Sequence, residues 1–277
     1  MDKLIGVMQG RLLPKYKGRY QAHPVGYWQD EFSIANKVGL NCIEFILDYE
    51  DASNNPLLKK GGIEEVKRIS DKSNVFVKTV CADYFMQAPL HSVDNAIARQ
   101  SEDIMVELIN NVAELGVTDI VLPCVDNSSV AQELSFNLFL KKLTPIIDVA
   151  EKRNINISLE TDLPPKHFLE LLDFFQSDCL KVNYDIGNSA ALGFNPVEEL
   201  EAYGNRISDI HIKDRLLHGG PVELGYGNAD FYSFFDKLKE YNYQGPFIMQ
   251  AYRDDEGVDI FKTQLNWILN IMKKLEY

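Results

Sequence analysis

The chain predicts a closed (β/α)8 barrel built as one domain over residues 1–277. Two observations carry that expectation. Short apolar runs alternate with stretches of helical period along the whole length, and polar residues gather at the ends of the last four runs. The runs are Leu4–Gln9, Cys42–Leu47, Phe76–Ala82, Asp119–Cys124, Asn156–Thr161, Lys181–Ile186, Ser208–Lys213 and Pro246–Tyr252. They are nearly continuous in Ile, Val, Leu and Phe, as in strands covered on both faces. Between them, Glu31–Val38, Val93–Leu115, Leu134–Lys152 and Asp259–Leu275 read as amphipathic helices, with Gly39 and Gly116 as stops. An open doubly wound sheet usually carries a glycine-rich phosphate loop after its first strand, and MQGRLLPK is not one. The long connection Gly10–Asp30 is rich in aromatic residues and is expected to cover the barrel mouth.

Composition narrows the function. With 45% hydrophobic residues, the chain can bury a sizeable core. A net charge of −13 lacks the basic footprint that nucleic acid requires. Cys42, Cys81, Cys124 and Cys179 lie in or beside apolar runs without zinc-type spacing, so buried reduced thiols are expected. No signal-type segment or membrane-length apolar stretch is visible. The expectation is a cytoplasmic protein with a small-molecule partner and no membrane; a face outside the barrel would serve a homo-oligomer.

Strand parity points to a site. In the seventh run Asp209, His211 and Lys213 share one face; in the sixth, Asn183 and Asp185; in the fifth, Asn156, Ser158 and Glu160. Polar groups inside a barrel are costly unless satisfied, so three successive polar stripes ask for a cation or a polar substrate. Glu160, Asp185, His211 and Gln250 would converge at the carboxyl mouth, where two carboxylates, an imidazole and an amide suit one divalent cation. Arg11, Lys213, Arg215 and Arg253 fall on the same side and suit a phosphate or carboxylate. Gly225-Tyr226-Gly227 precedes a helix expected to start near Asp230, whose amino end is a candidate anion site. Tyr84 and Phe85 offer an apolar wall beside the mouth.

The segments MQGRLLP, CADYFM, LET, YDIGN, HIKD and GYGNADF, in this order across essentially the whole chain, resemble the sugar phosphate isomerase/epimerase group of xylose-isomerase-like TIM barrels. The resemblance implies one divalent metal (Mn2+, Zn2+ or Mg2+) and a carbohydrate substrate. Glu160, Asp185 and His211 match three of the family's metal ligands; Gln250 stands where the family has a second glutamate. Gln9, Arg11, Glu44, Tyr84, Asn188, Asp214, Arg215 and Arg253 are the expected substrate contacts, with Glu160 and Lys213 as catalytic groups. The chemistry so implied is proton removal beside a carbonyl to give an enediolate. Gln250 cannot return a proton, so Glu160 would shuttle alone, which favours aldose–ketose isomerisation, or Lys213, Asp214 or Glu44 would supply the missing group. Competing readings are a lyase of the inosose dehydratase type and a non-catalytic sugar-binding barrel. A relative of endonuclease IV fits poorly, because only His211 of the five histidines falls on an expected strand.

Overall fold

Eight parallel strands close into a barrel in a computed structural model that describes residues 3–255 and 257–277. The strands, in chain order, are β1 (Ile5–Met8), β2 (Cys42–Ile46), β3 (Phe76–Cys81), β4 (Asp119–Cys124), β5 (Asn156–Thr161), β6 (Leu180–Asp185) and β7 (Ile207–Ile212). An antiparallel hairpin of β8 (Asp214–Arg215) and β9 (Pro221–Val222) follows at the mouth, and β10 (Phe247–Met249) completes the barrel by pairing with β7 and β1. Each strand lies within the expected run or shifted one residue from it. The largest difference is β10, only three residues long, because Gln250 to Tyr252 leave the ladder to meet the loop over the mouth. Gln250 still donates its backbone N–H to the Ile212 carbonyl at 3.0 Å.

Closure needs a glycine at β1. A Cβ on Gly6 would lie 2.9 Å from both the Cys42 carbonyl oxygen and Ile248 Cδ1, so any larger residue would push β1 from its neighbours. Helices 30–38, 62–73, 95–113, 133–153, 165–175, 196–203, 231–238 and 258–274 surround the barrel, and their apolar faces pack on the outward strand residues in one continuous core. The four cysteines are buried and unpaired.

The barrel interior is divided. Met8, Cys42, Ile46, Cys81, Val121 and Ile248 form its apolar part, supplied by β1 to β4 and β10. The rest is polar: Ser158, Asn183, Asp209 and His211 are all buried. The inward parity read from the sequence for β5 to β7 therefore holds. At its lower end, Ser158 Oγ donates to Asp119 at 2.9 Å and contacts Ser208 Oγ at 2.8 Å, which satisfies the stripe below the mouth.

The connection between β1 and the first helix lies across the mouth. Buried Glu31 fixes its start by accepting the N–H groups of Gly10 and Leu12 at 2.7 and 2.9 Å. Asp48 fixes its middle through the His23 N–H at 2.7 Å. The helix near Asp230 begins as expected, at Phe231, but its amino end is occupied: Asp230 caps it by accepting the Ser233 N–H at 3.0 Å. That corrects the expectation of an anion site there.

Candidate active site

Glu160, Asp185 and His211 stand at the ends of β5, β6 and β7, with one ligand atom from each inside a mutual distance of 4.8 Å. His211 organises the cluster. Its Nε2 faces Glu44 Oε1 at 2.8 Å, and the other Glu44 oxygen accepts the Thr79 hydroxyl at 2.6 Å. This anchoring turns Nδ1 toward the mouth, 3.8 Å from Glu160 Oε2 and 3.9 Å from Asp185 Oδ2. A carboxylate behind an imidazole is the usual device for fixing the orientation of a metal-binding histidine. Asn183 Nδ2 lies between, donating to Glu160 Oε2 at 3.2 Å and standing 3.1 Å from His211 Nδ1.

Asp185 divides its two oxygens. Oδ1 accepts the Asn188 N–H at 2.8 Å and so caps the short helix 186–192, while Oδ2 meets the Lys213 ammonium at 3.2 Å. Lys213 reaches it because residue 187 is glycine; a Cβ there would sit 2.7 Å from Lys213 Cγ. Asn188 is a crossing point. Its Nδ2 donates to Glu160 Oε1, and its Oδ1 accepts from Lys213 at 3.1 Å and Arg215 at 2.8 Å.

The charges follow from this geometry. Burial raises the Glu160 carboxyl, and the Asp185 charge adds to that; His211 and Lys213 only partly offset them, leaving it at about 7. Burial also works against ionised Asp185, but Lys213 and His211 outweigh it and bring the group to about 2. At His211 burial disfavours the imidazolium, yet Glu44, Asp185 and Asp209 together hold its proton well above the ordinary range.

The opposite rim is built differently. Gln250 Nε2 donates to Gln21 Oε1 at 3.0 Å, Arg11 donates to the same oxygen at 2.9 Å, and Gln21 Nε2 donates to Asp83 Oδ2 at 3.3 Å. Gln250 Oε1, Arg11 Nε, Gln9 Nε2 and His23 Nε2 are buried without a partner. A metal is tested by these facts. Two carboxylates and an imidazole nitrogen aimed at one point, beside a spare amide oxygen on Gln250, make a donor set that fits one divalent cation.

Several expected contacts are placed elsewhere. Glu44 is fully buried beneath His211, so it supports the ring instead of lining the mouth. Asp214, also fully buried, is spent on the N–H groups of Gly225 and Gly227, both at 2.9 Å, and Ala229 at 3.1 Å; it shapes the turn after β9. Gln9 is buried and accepts the Ile46 N–H at 3.0 Å. Tyr84 packs between Tyr49 and Phe85 with 3% exposure. Arg253 lies over the Tyr20 ring and donates to the Arg11 carbonyl. Sequence reasoning missed Asn183 as a contact of the cluster, although its inward parity was visible, and it missed Gln21 and Asp83 altogether.

Comparison with known proteins agrees with this fold. Residues 32–271 match the profile of the xylose isomerase-like TIM barrel family. The chain belongs to this family. The L-ribulose-5-phosphate 3-epimerase UlaE of Salmonella typhi is 24% identical over 267 residues, covering 92% of this chain and 93% of the relative. Among solved structures, the 3-keto-D-glucoside 4-epimerase YcjR from E. coli superposes with a TM-score of 0.76 at 17% identity, over 97% of this chain and 100% of that one. The IOLI protein, solved with a zinc atom, gives 0.77 at 16% identity over 98% of both chains. These likenesses bear out the sequence reading of the fold, of an enzyme, and of the isomerase/epimerase class within the family. Among the described residues no helix is long and apolar enough to cross a membrane.

Proposed function

We propose that this chain is a metal-assisted isomerase or epimerase of a sugar phosphate, with Glu160 as the base that removes the proton beside the carbonyl. The observation that carries the reading is the convergence of Glu160, Asp185 and His211 Nδ1 at the carboxyl end of the barrel, with His211 anchored from behind by Glu44. Glu160, Asp185 and His211 would hold the cation, and the Gln250 amide oxygen completes the set. When bound, such a cation polarises the substrate carbonyl and neutralises charge developing on its oxygen.

The chain's own residues do the rest. Glu160 stands at the mouth beside the point where the cation would bind, so its carboxylate is placed to take a proton from the carbon next to a bound carbonyl. Asn188 holds that carboxyl in place and is itself held by Lys213 and Arg215. Lys213 is thereby a charge partner for Asp185, and Arg11, whose buried Nε lacks a partner, is free to take a substrate oxygen. The substrate class rests on UlaE, named for L-ribulose 5-phosphate, and on the Arg11 guanidinium at the rim, whose buried Nε lacks a partner.

The test is incubation with L-ribulose 5-phosphate and Mn2+ in deuterated water. Deuterium at the carbon beside the carbonyl supports the reading; a panel of pentulose phosphates showing none would overturn it. A second reading, one-base aldose–ketose isomerisation, is favoured by the amide at Gln250, and product identity separates the two.

A further inference from the structure

Inverting a carbon through an enediolate requires a proton from the face opposite the one that lost it. Glu160 occupies one face, so the donor must come from across the mouth. Three candidates from the sequence do not stand there. Lys213 shares Asn188 with Glu160 and lies on the same side. Glu44 is sealed beneath His211, and Asp214 is sealed beneath the turn at Gly225. Asp48 is tied to the His23 N–H at 2.7 Å and to Arg19 at 3.1 Å.

Asp83 is different. Cys81 belongs to the apolar lining of the barrel, and its thiol donates to Asp83 Oδ1 at 3.2 Å, so the carboxyl sits directly above the inward row of β3. The other Asp83 oxygen meets Gln21, the residue that also holds Gln250. Asp83 itself is half-buried, unlike Glu44 and Asp214.

We propose that Asp83 is the second acid/base group of this enzyme, delivering a proton to the face of the enediolate opposite Glu160 in place of the carboxyl that Gln250 lacks. The assignment rests on the isomerase/epimerase reading above. The step balances: the C–H bond breaks toward a Glu160 oxygen, the Asp83 O–H breaks as the new C–H bond forms on the other face, and both carboxyls reset by proton exchange with water. Burial, reinforced by the nearby Asp48 charge, raises the Asp83 carboxyl above the usual carboxylate range, which favours the O–H form.

The experiment uses L-ribulose 5-phosphate, Mn2+ and deuterated water, and follows two signals: formation of the C3 epimer and deuterium appearing in recovered, unepimerised substrate. Asp83→Asn should lower epimer formation by about 10²-fold or more, the usual worth of a general acid. Exchange into recovered substrate, which needs only Glu160, should persist within about tenfold of wild type, since it lacks that step. Asp83→Ser, which removes the acid without leaving an amide, should show the same split. Epimer formation near the wild-type rate, or loss of both signals in proportion in the two variants, would overturn the assignment and leave Asp83 as support for Gln21. Wild-type protein that neither exchanges nor epimerises would overturn the isomerase/epimerase reading itself, and this assignment with it.

Discussion

The two rims of the barrel mouth follow opposite rules. On the side of β5 to β7, Glu160, Asp185, Asn188, Lys213 and Arg215 bond to one another, and His211 is anchored beneath them by Glu44. On the side of β1, β3 and β10, Gln250, Arg11, Gln9 and His23 each keep a buried polar atom without a partner. Asn183 Oδ1 and Asp209 Oδ2 are likewise without a partner on the β6 and β7 side, so the difference between the rims lies in the dense bonding among charged groups on one and its sparseness on the other. The bonded rim is preorganised for chemistry on a fixed atom. On the proposed reading, the open rim would be completed by cation and substrate.

Breaking the bonded rim should cost most. Glu160→Gln removes the base while keeping the Asn188 contact, and solvent exchange into substrate should fall by about 10³-fold; an unchanged exchange rate would place the base elsewhere. Asp185→Asn and His211→Ala should come next, abolishing the thermal stabilisation that Mn2+ confers. At 100-fold excess over Kd that stabilisation amounts to about 2.7 kcal/mol, and a melting curve with and without metal reads it directly. Retained stabilisation in both variants would separate the cluster from metal binding.

Changes on the open rim should be smaller and of either sign. Gln250→Glu adds a charged oxygen where an amide oxygen now lacks a partner, and should tighten Mn2+ binding by about tenfold. An equal or weaker Kd by calorimetry would mean that Gln250 serves Gln21 alone. A separate effect concerns pH and not the site's chemistry. Burial lowers the His23 imidazole from its ordinary 6.5 to about 3, so the folded state stays neutral where the unfolded chain takes a proton. That contribution to stability is fully present above 6.5 and is lost as pH falls toward 3, at up to about 1.4 kcal/mol per pH unit. Chemical denaturation across this window should show a shallower slope in His23→Gln than in wild type.

The bonded rim was legible in the sequence and the open rim was not, for a physical reason. Glu160, Asp185 and His211 lie on strands, where alternation ties sequence position to direction, so parity placed all three inward before any coordinates. The strand boundaries themselves came within one or two residues for seven of the eight runs, because apolar runs of this length have few other uses in an alternating chain. Asp83 and Gln21 lie beyond strand ends, where no period relates number to direction. The same loss of periodicity misplaced Asp214, whose position after the seventh run suggested the mouth, although its oxygens close a turn. Glu44 is expected at the substrate on the family resemblance, and a likeness of motifs does not distinguish a residue at the mouth from one a layer below it. A strand register would have made that distinction: Glu44 pairs across to Met8 and Thr79, below the level of Cys81.

Gln21 gives the loop over the mouth a fastening that is entirely polar. Three hydrogen bonds, to Gln250, Arg11 and Asp83, meet on one amide. At about 1 kcal/mol each, undoing all three costs about 3 kcal/mol, a slowing on the order of 10²-fold relative to an unfastened loop. A sugar phosphate brings hydroxyl and phosphate oxygens that can replace those partners one at a time, so admission is cheap for a polyhydroxy anion and expensive for an apolar molecule of the same size. On the proposed sugar-phosphate reading, that amide would sort molecules at the mouth by their hydrogen-bonding capacity.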